Sequence, residues 1–117
     1  MTRIKKATLG NGAAAMAAHA EAASRMLKSL ANAQRLRILC LLASEERSVG
    51  ALYELLDLSQ SALSQHLARL REEALVSTRR DAQTIYYRLA DGPAQQLIKT
   101  LYGIYCSAPA HRARGSR

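Results

Sequence analysis

The stretch SVGALYELLDLSQSALSQHLARL, running from Ser48 to Leu70, decides how this chain is read. Ser48 is a good N-cap for a short apolar segment that ends near Leu56, and Asp57-Leu58-Ser59 makes a tight break. Ser59 then caps a second helix that reaches about Glu73. Leu63, Leu67 and Leu70 fall at i, i+4 and i+7 on one face of it, while Gln60, Ser61, Ser64, Gln65 and Arg69 share the opposite face. Short helix, break and polar-faced helix make a helix-turn-helix plan. Small amide and hydroxyl side chains early in the second helix match the donors and acceptors on base edges.

Downstream, Val76–Arg80 and Thr84–Leu89 are short extended segments around Asp81-Ala82-Gln83, with Ile85, Tyr87 and Leu89 alternating with Tyr86 and Arg88. This is a hairpin, and its Arg79, Arg80 and Arg88, like Arg69, suit phosphate contacts. Asp91 is the expected cap of a last helix, with Pro93 in its first turn and an apolar stripe of Leu97, Leu101, Ile104, Tyr105 and Ala108. Upstream, Asn32 precedes a helix over 33–43 carrying Leu36, Leu39, Cys40 and Ala43 on one stripe and Ile38, Leu41 and Leu42 on much of the rest. Glu45-Glu46-Arg47 reads as a polar connector. Before them, Met16, Ala20, Ala23, Leu27 and Leu30 form a narrow seam over 13–30.

The expected fold is mainly α with a small β-hairpin wing, in the order α-α-α-α-β-β-α. A flexible arm over 1–12 and a basic tail over 109–117 flank a winged helix-turn-helix domain over 13–108. A solvated face is the plain reading of a polar helix standing alone. The paired helix before it and the wing after it favour DNA instead.

Composition agrees. With 117 residues the chain suits one domain, and 18 Leu and 22 Ala against five Ile and two Val favour helices over a large sheet. The net charge of +8 suggests an anionic partner, yet residues 1–33 hold +4 and 107–117 hold +3, leaving only +1 over 34–105. Arg3, Lys5 and Lys6 ahead of an Ala-rich stretch with Ala18-His19-Ala20 faintly imitate a signal peptide. Gly10-Asn11-Gly12 interrupts it and alanine is weakly hydrophobic, so a cytoplasmic protein away from the membrane is expected. Two cysteines, 66 residues apart, are too few for a disulfide scaffold. Neither a phosphate-cradling Gly loop nor a Ser-His-Asp ordering points to an enzyme.

At this point the residues resemble a known family. Leu30-Ala-Asn-Ala-Gln-Arg-Leu-Arg-Ile-Leu39, the segments Ser48–Leu52 and Leu58–Leu67, Leu70–Val76 and Ile85-Tyr-Tyr-Arg-Leu89 resemble the ArsR/SmtB repressors over roughly residues 25–106. The resemblance implies a homodimer, built through its first and last helices, that represses transcription at a near-palindromic operator. His66, on the helix that Ser59 caps, is read as contacting DNA or a helix neighbour and is counted among the DNA-binding candidates. The family often has Pro where Ala33 stands and usually Gly where Ala74 ends the recognition helix. Its thiolate metal site needs a Cys-x-Cys in the helix over 49–56, which has no thiol. Its other metal site needs a His-x-x-Glu on the last helix, and no Glu follows His111. No metal and no cofactor are expected, and His19 and His111 read as solvated.

Cys40 and Cys106 remain. Their chemistry alone reads equally as two core cysteines or as a reactive pair. Their placement, one in the second helix and one in the last, resembles the persulfide-sensing SqrR/BigR-type branch with its HlyU relatives. That resemblance implies a dithiol sensor in which reactive sulfur species build an intramolecular polysulfide bridge and release DNA. The alternatives are a repressor answering another oxidant or a metal, and a DNA-binding module with no thiol switch.

Overall fold

The computed structural model describes the backbone of residues 2–106 and the side chains of residues 12–106; the tail, His111 and Ala108 lie outside the described residues. The chain divides after Asn32 into two compact units. The first is a single helix, α1 (Thr2–Leu30). It corrects the expectation of a flexible arm, because the segment is helical from Thr2 onward. Once the Ala-rich part has formed, each added residue needs no new nucleus, and Lys5, Lys6, Ala7 and Leu9 are good helix formers. The glycines at 10 and 12 cost about 1 kcal/mol each without ending the helix. Met16 and Leu27 are 59% and 54% exposed.

The second unit contains α2 (Ala33–Ser44), β1 (Arg47–Ser48), α3 (Val49–Leu55), α4 (Gln60–Glu72), β2 (Val76–Asp81), β3 (Thr84–Leu89) and α5 (Pro93–Tyr105). Its core gathers Ile38, Leu39 and Leu42 from α2, Leu52 from α3, Leu63, Leu67 and Leu70 from α4, and Val76, Tyr87, Leu89 and Ile98 from the wing and α5. Burying these side chains stabilises the unit by roughly 1.5–3 kcal/mol each before the entropy of ordering is subtracted. The two expected serine caps are present. Ser48 Oγ accepts from the Ala51 N–H, and Ser59 Oγ from the Ala62 N–H, each at 3.0 Å.

The end of α4 is a Schellman motif. Leu75 N–H donates to the Leu70 carbonyl at 2.9 Å and Ala74 N–H to the Arg71 carbonyl at 3.0 Å, with Ala74 left-handed at φ 60°. The wing strands pair from Val76↔Leu89 to Asp81↔Thr84 around Ala82-Gln83, and Ala82 is also left-handed, at φ 59°.

Two expectations need correction here. The sheet has three strands in the order β1-β3-β2, because Arg47 and Ser48 pair with Tyr87 and Tyr86. The segment read as a connector therefore anchors the wing. Asp91 does not cap α5. The N-cap is Gly92 at φ 141°, whose carbonyl accepts from the Gln95 and Gln96 N–H groups, while the Asp91 carboxylate lies 4.0 Å from Arg88. Only a glycine adopts that φ readily, so the chain turns into the helix one residue late. In α5 the core contact comes from Ile98, which is fully buried, while Leu97, Ile104 and Tyr105 of the expected stripe are exposed in the single chain. Periodicity finds an apolar stripe but does not name the partner that covers it.

Candidate nucleic-acid interface and thiol cleft

Helix α4 is sharply divided. Its three leucines point into the core, and Gln60, Ser61, Ser64, Gln65 and Arg69 are all exposed, with His66 half-buried beside them. The Ser59 cap fixes the first turn, so the amide and hydroxyl side chains most suited to base edges sit at the start of an anchored helix. Arg69 pairs with Glu73 at 3.4 Å across one helical turn, an exposed contact that a phosphate can displace.

The wing arginines are not equivalent. Arg80 is exposed, and among the described residues no carboxylate pairs with it. Arg88 is half-exposed, donates to the Leu89 carbonyl at 3.4 Å and lies near Asp91. Arg79 is engaged. Its Nε and Nη2 donate to the two carboxylate oxygens of Glu46 at 2.8 Å each, and its guanidinium lies 4.4 Å from the Tyr86 ring centre. Hydrogen bonding to Arg79 holds the Glu46 carboxyl below the usual carboxylate range, and the Glu46 carboxylate raises Arg79 in turn. The expectation of a free phosphate-binding Arg79 thus meets a guanidinium already paired.

The two cysteines come together. Cys40 is half-buried on α2, and Cys106 is exposed at the C-cap of α5, its N–H donating to the Tyr102 carbonyl at 2.7 Å. Both line a cleft of about 430 Å³ shared with Arg37, Arg47, Leu55 and Tyr102. Burial pushes the Cys40 thiol up from its ordinary value, and the charge of a Cys106 thiolate nearby adds to the rise.

Two cations, Arg37 and Arg47, line the same cleft. Arg37 was findable, since it stands three residues before Cys40 on the same helical face. Arg47 was not, because only the fold brings it there. Its Nε donates to the Leu41 carbonyl and its Nη2 to Ser44 Oγ, both at 2.9 Å, so it closes the last turn of α2. Among the described residues no three His, Cys, Asp or Glu side chains converge as a metal site, and no helix is long and apolar enough to cross a membrane.

Comparison with known proteins follows the same lines. Residues 32–78 match the profile of the bacterial regulatory protein arsR family. The chain is 52% identical over 83 residues to the transcriptional activator HlyU of Vibrio cholerae, covering 71% of this chain and 77% of that one. It is 47% identical over 93 residues to the biofilm growth-associated repressor of Agrobacterium fabrum, covering 80% of each. The crystal structure of the transcriptional regulator HlyU from Vibrio vulnificus superposes with a TM-score of 0.75 at 48% identity, covering 81% of this chain and 99% of that one.

Proposed function

This chain belongs to the arsR family of bacterial regulatory proteins and is a DNA-binding transcriptional regulator with a winged helix fold; from that premise we propose that it is a homodimeric repressor released from its operator when sulfane sulfur joins Cys40 to Cys106. The observation that carries the reading is the shared cleft, which sets a thiol of α2 beside a thiol at the end of α5.

The chemistry needs no outside oxidant beyond the sulfur donor. The exposed Cys106 attacks first, because Cys40 is less accessible and its thiolate is disfavoured by burial. Each thiolate displaces RS⁻ from a persulfide RSSH and becomes a protein persulfide, and one of these takes up a further sulfur the same way. Closure then expels hydrogen sulfide. In total two thiols and three RSSH give a four-sulfur bridge, three RSH and one hydrogen sulfide, with every sulfur and proton accounted for. A bridge of this length spans a wider separation than the narrow geometry of a two-sulfur bond allows. It ties α2 to α5 and so alters the helix that carries the exposed apolar face.

The exposed apolar residues of each unit support the dimer. Leu97, Ile104 and Tyr105 on α5 are large apolar side chains open to solvent, and α1, taken by itself, exposes Met16 and Leu27. A second copy covers them, and a two-fold dimer presents its two α4 helices to successive major grooves about 34 Å apart, which calls for a near-palindromic operator. Gln60, Ser61, Ser64, Gln65 and His66 read bases, while Arg69, Arg80 and Arg88 hold phosphates.

The test pairs mass spectrometry with operator binding on reduced protein treated with a persulfide donor. A bridge of more than two sulfurs between Cys40 and Cys106, together with DNA release, is expected. Unchanged DNA binding after treatment, or a normal response from Cys106→Ser, overturns the reading.

A further inference from the structure

Positive charge is distributed unevenly along this chain. Residues 34–105, which carry α4 and the wing, hold nine basic and eight acidic groups, whereas residues 107–117 hold Arg112, Arg114 and Arg117 and no acid. Four arginines of α4 and the sheet are already matched by carboxylates. Arg47, Arg69, Arg79 and Arg88 lie 3.3, 3.4, 2.8 and 4.0 Å from Glu45, Glu73, Glu46 and Asp91. A DNA duplex presents one negative charge for about every 1.7 Å of its axis. The nearly neutral winged helix compensates little of it.

The fold places the root of the basic segment. Cys106, the C-cap of α5, lines one cleft with Leu55 and Leu56 at the end of α3. Leu56 stands four residues before Gln60, the first residue of α4, a span of about 15 Å at most. An extended chain covers about 3.5 Å per residue, so Arg112, Arg114 and Arg117 lie within a reach of roughly 20–40 Å from Cys106. That reach takes in the start of α4 and the phosphates on either side of a major groove about 12 Å wide. Residues 1–33 carry a surplus of +4 as well, but only 107–117 follows directly on the unit that contains α4.

We infer that residues 107–117 are a second DNA-contacting element, in which Arg112, Arg114 and Arg117 hold phosphates beside the groove that α4 enters. The partner is the duplex backbone, so the segment adds affinity while α4 supplies the choice of sequence. Each phosphate neutralised releases condensed counterions, and the contribution therefore shows as salt dependence. Glu54 and Asp57, exposed near the same root, are the rival anions on the protein itself. Exposed ion pairs of that kind are worth about 0–1 kcal/mol each, and a line of phosphates outcompetes them. The inference rests on the DNA-binding role of the chain and is independent of the thiol reading.

The experiment uses the full chain, kept reduced, and two fluorescent duplexes of about 40 base pairs, long enough for two half-sites and their flanks. One is random in sequence, and the other is selected by the wild-type protein from a randomised pool. Arg112→Gln, Arg114→Gln and Arg117→Gln in one chain are expected to reduce the slope of log affinity against log salt by about one to three per protomer. The reduction is the same on both duplexes, so the preference for the selected one is unchanged. The matching triple variant with Lys keeps the wild-type slope, because the backbone responds to the charge. Hydroxyl-radical footprints show the sugars flanking each half-site protected by wild type and open with the Gln variant.

An unchanged slope in the Gln variant overturns the inference and leaves the segment away from DNA. A loss confined to the selected duplex means base reading and overturns it too, as does an equal loss with the Lys variant. Flanks left unprotected by wild type overturn it without any variant. Helical circular dichroism on the same samples separates a lost contact from a folding defect.

Discussion

Arg79 of the wing and Glu46 of the loop before β1, 33 residues apart in sequence, are joined by two parallel hydrogen bonds of 2.8 Å with the guanidinium 4.4 Å from the Tyr86 ring centre. The pair fastens the wing to the end of the α2 segment, and it removes Arg79 from the pool of free phosphate contacts. Arg80→Ala should therefore lower affinity for operator and random DNA alike and reduce the slope of log affinity against log salt by about one. Arg79→Ala should leave that slope nearly unchanged, and Glu46→Gln, which frees a guanidinium, should steepen it by about one. Binding titrations across a salt series decide. Equal loss of slope in the two arginine variants means that the pair opens on DNA.

The same pair has a pH signature. Because the folded Glu46 carboxyl lies below its ordinary value, its contribution is fully present above the unfolded carboxylate range and is lost as pH falls through the lower folded value. The stability difference between wild type and Glu46→Gln should be present at neutral pH and should vanish in acid, below the usual glutamate range. Denaturant midpoints at a series of pH values measure it, and a difference that persists in acid contradicts the pairing.

On α4, base reading and backbone holding should separate. Gln60→Ala, Ser64→Ala and Gln65→Ala should each weaken operator binding by roughly 1–3 kcal/mol while leaving random DNA nearly untouched. Competition of operator against random duplex measures the ratio. Equal losses on both would move the recognition face elsewhere on the helix.

Ala74 closes the Schellman motif in a left-handed conformation that glycine adopts without penalty. Ala74→Gly should stabilise the protein by about 1 kcal/mol, the usual cost of a left-handed L-residue. A raised denaturant midpoint at unchanged m-value is the expected result. No gain would mean that the added freedom of glycine in the unfolded chain offsets the relief.

The exposed face of α5 offers a direct test of the dimer. Ile104→Glu places a charge on a side chain that is 57% exposed in the single chain, so the monomer should fold unchanged. Sedimentation at micromolar concentration should show dissociation, and operator affinity should fall with it because two half-sites are no longer bridged. A dimer that survives the charge moves the interface away from Ile104.

Much of this architecture was legible because it is local. The Ser48 and Ser59 caps, the Leu63/Leu67/Leu70 stripe and the wing pairing all depend on spacings within a few residues. What escaped notice depends on distance in sequence. β1 is two residues long, too short to show any alternation, and exists only because β3 offers it a partner. The Arg79–Glu46 pair and the approach of Arg47 to the thiols are likewise products of the fold. Asp91 failed as a cap for a local reason, the unusual backbone of Gly92. In α5 both faces are apolar, so the outward stripe drew attention while Ile98 supplied the core contact.

Arg47 belongs to three neighbourhoods at once. Its backbone is zipped to Tyr87 in the middle strand of the wing, its Nε latches the last turn of α2, and its side chain walls the cleft of Cys40 and Cys106. Root of the hairpin, end of a helix and rim of a reactive site thus turn on one pivot. A strain applied at the thiols would therefore meet, in Arg47, a residue already bonded to the hairpin without any contact through α4.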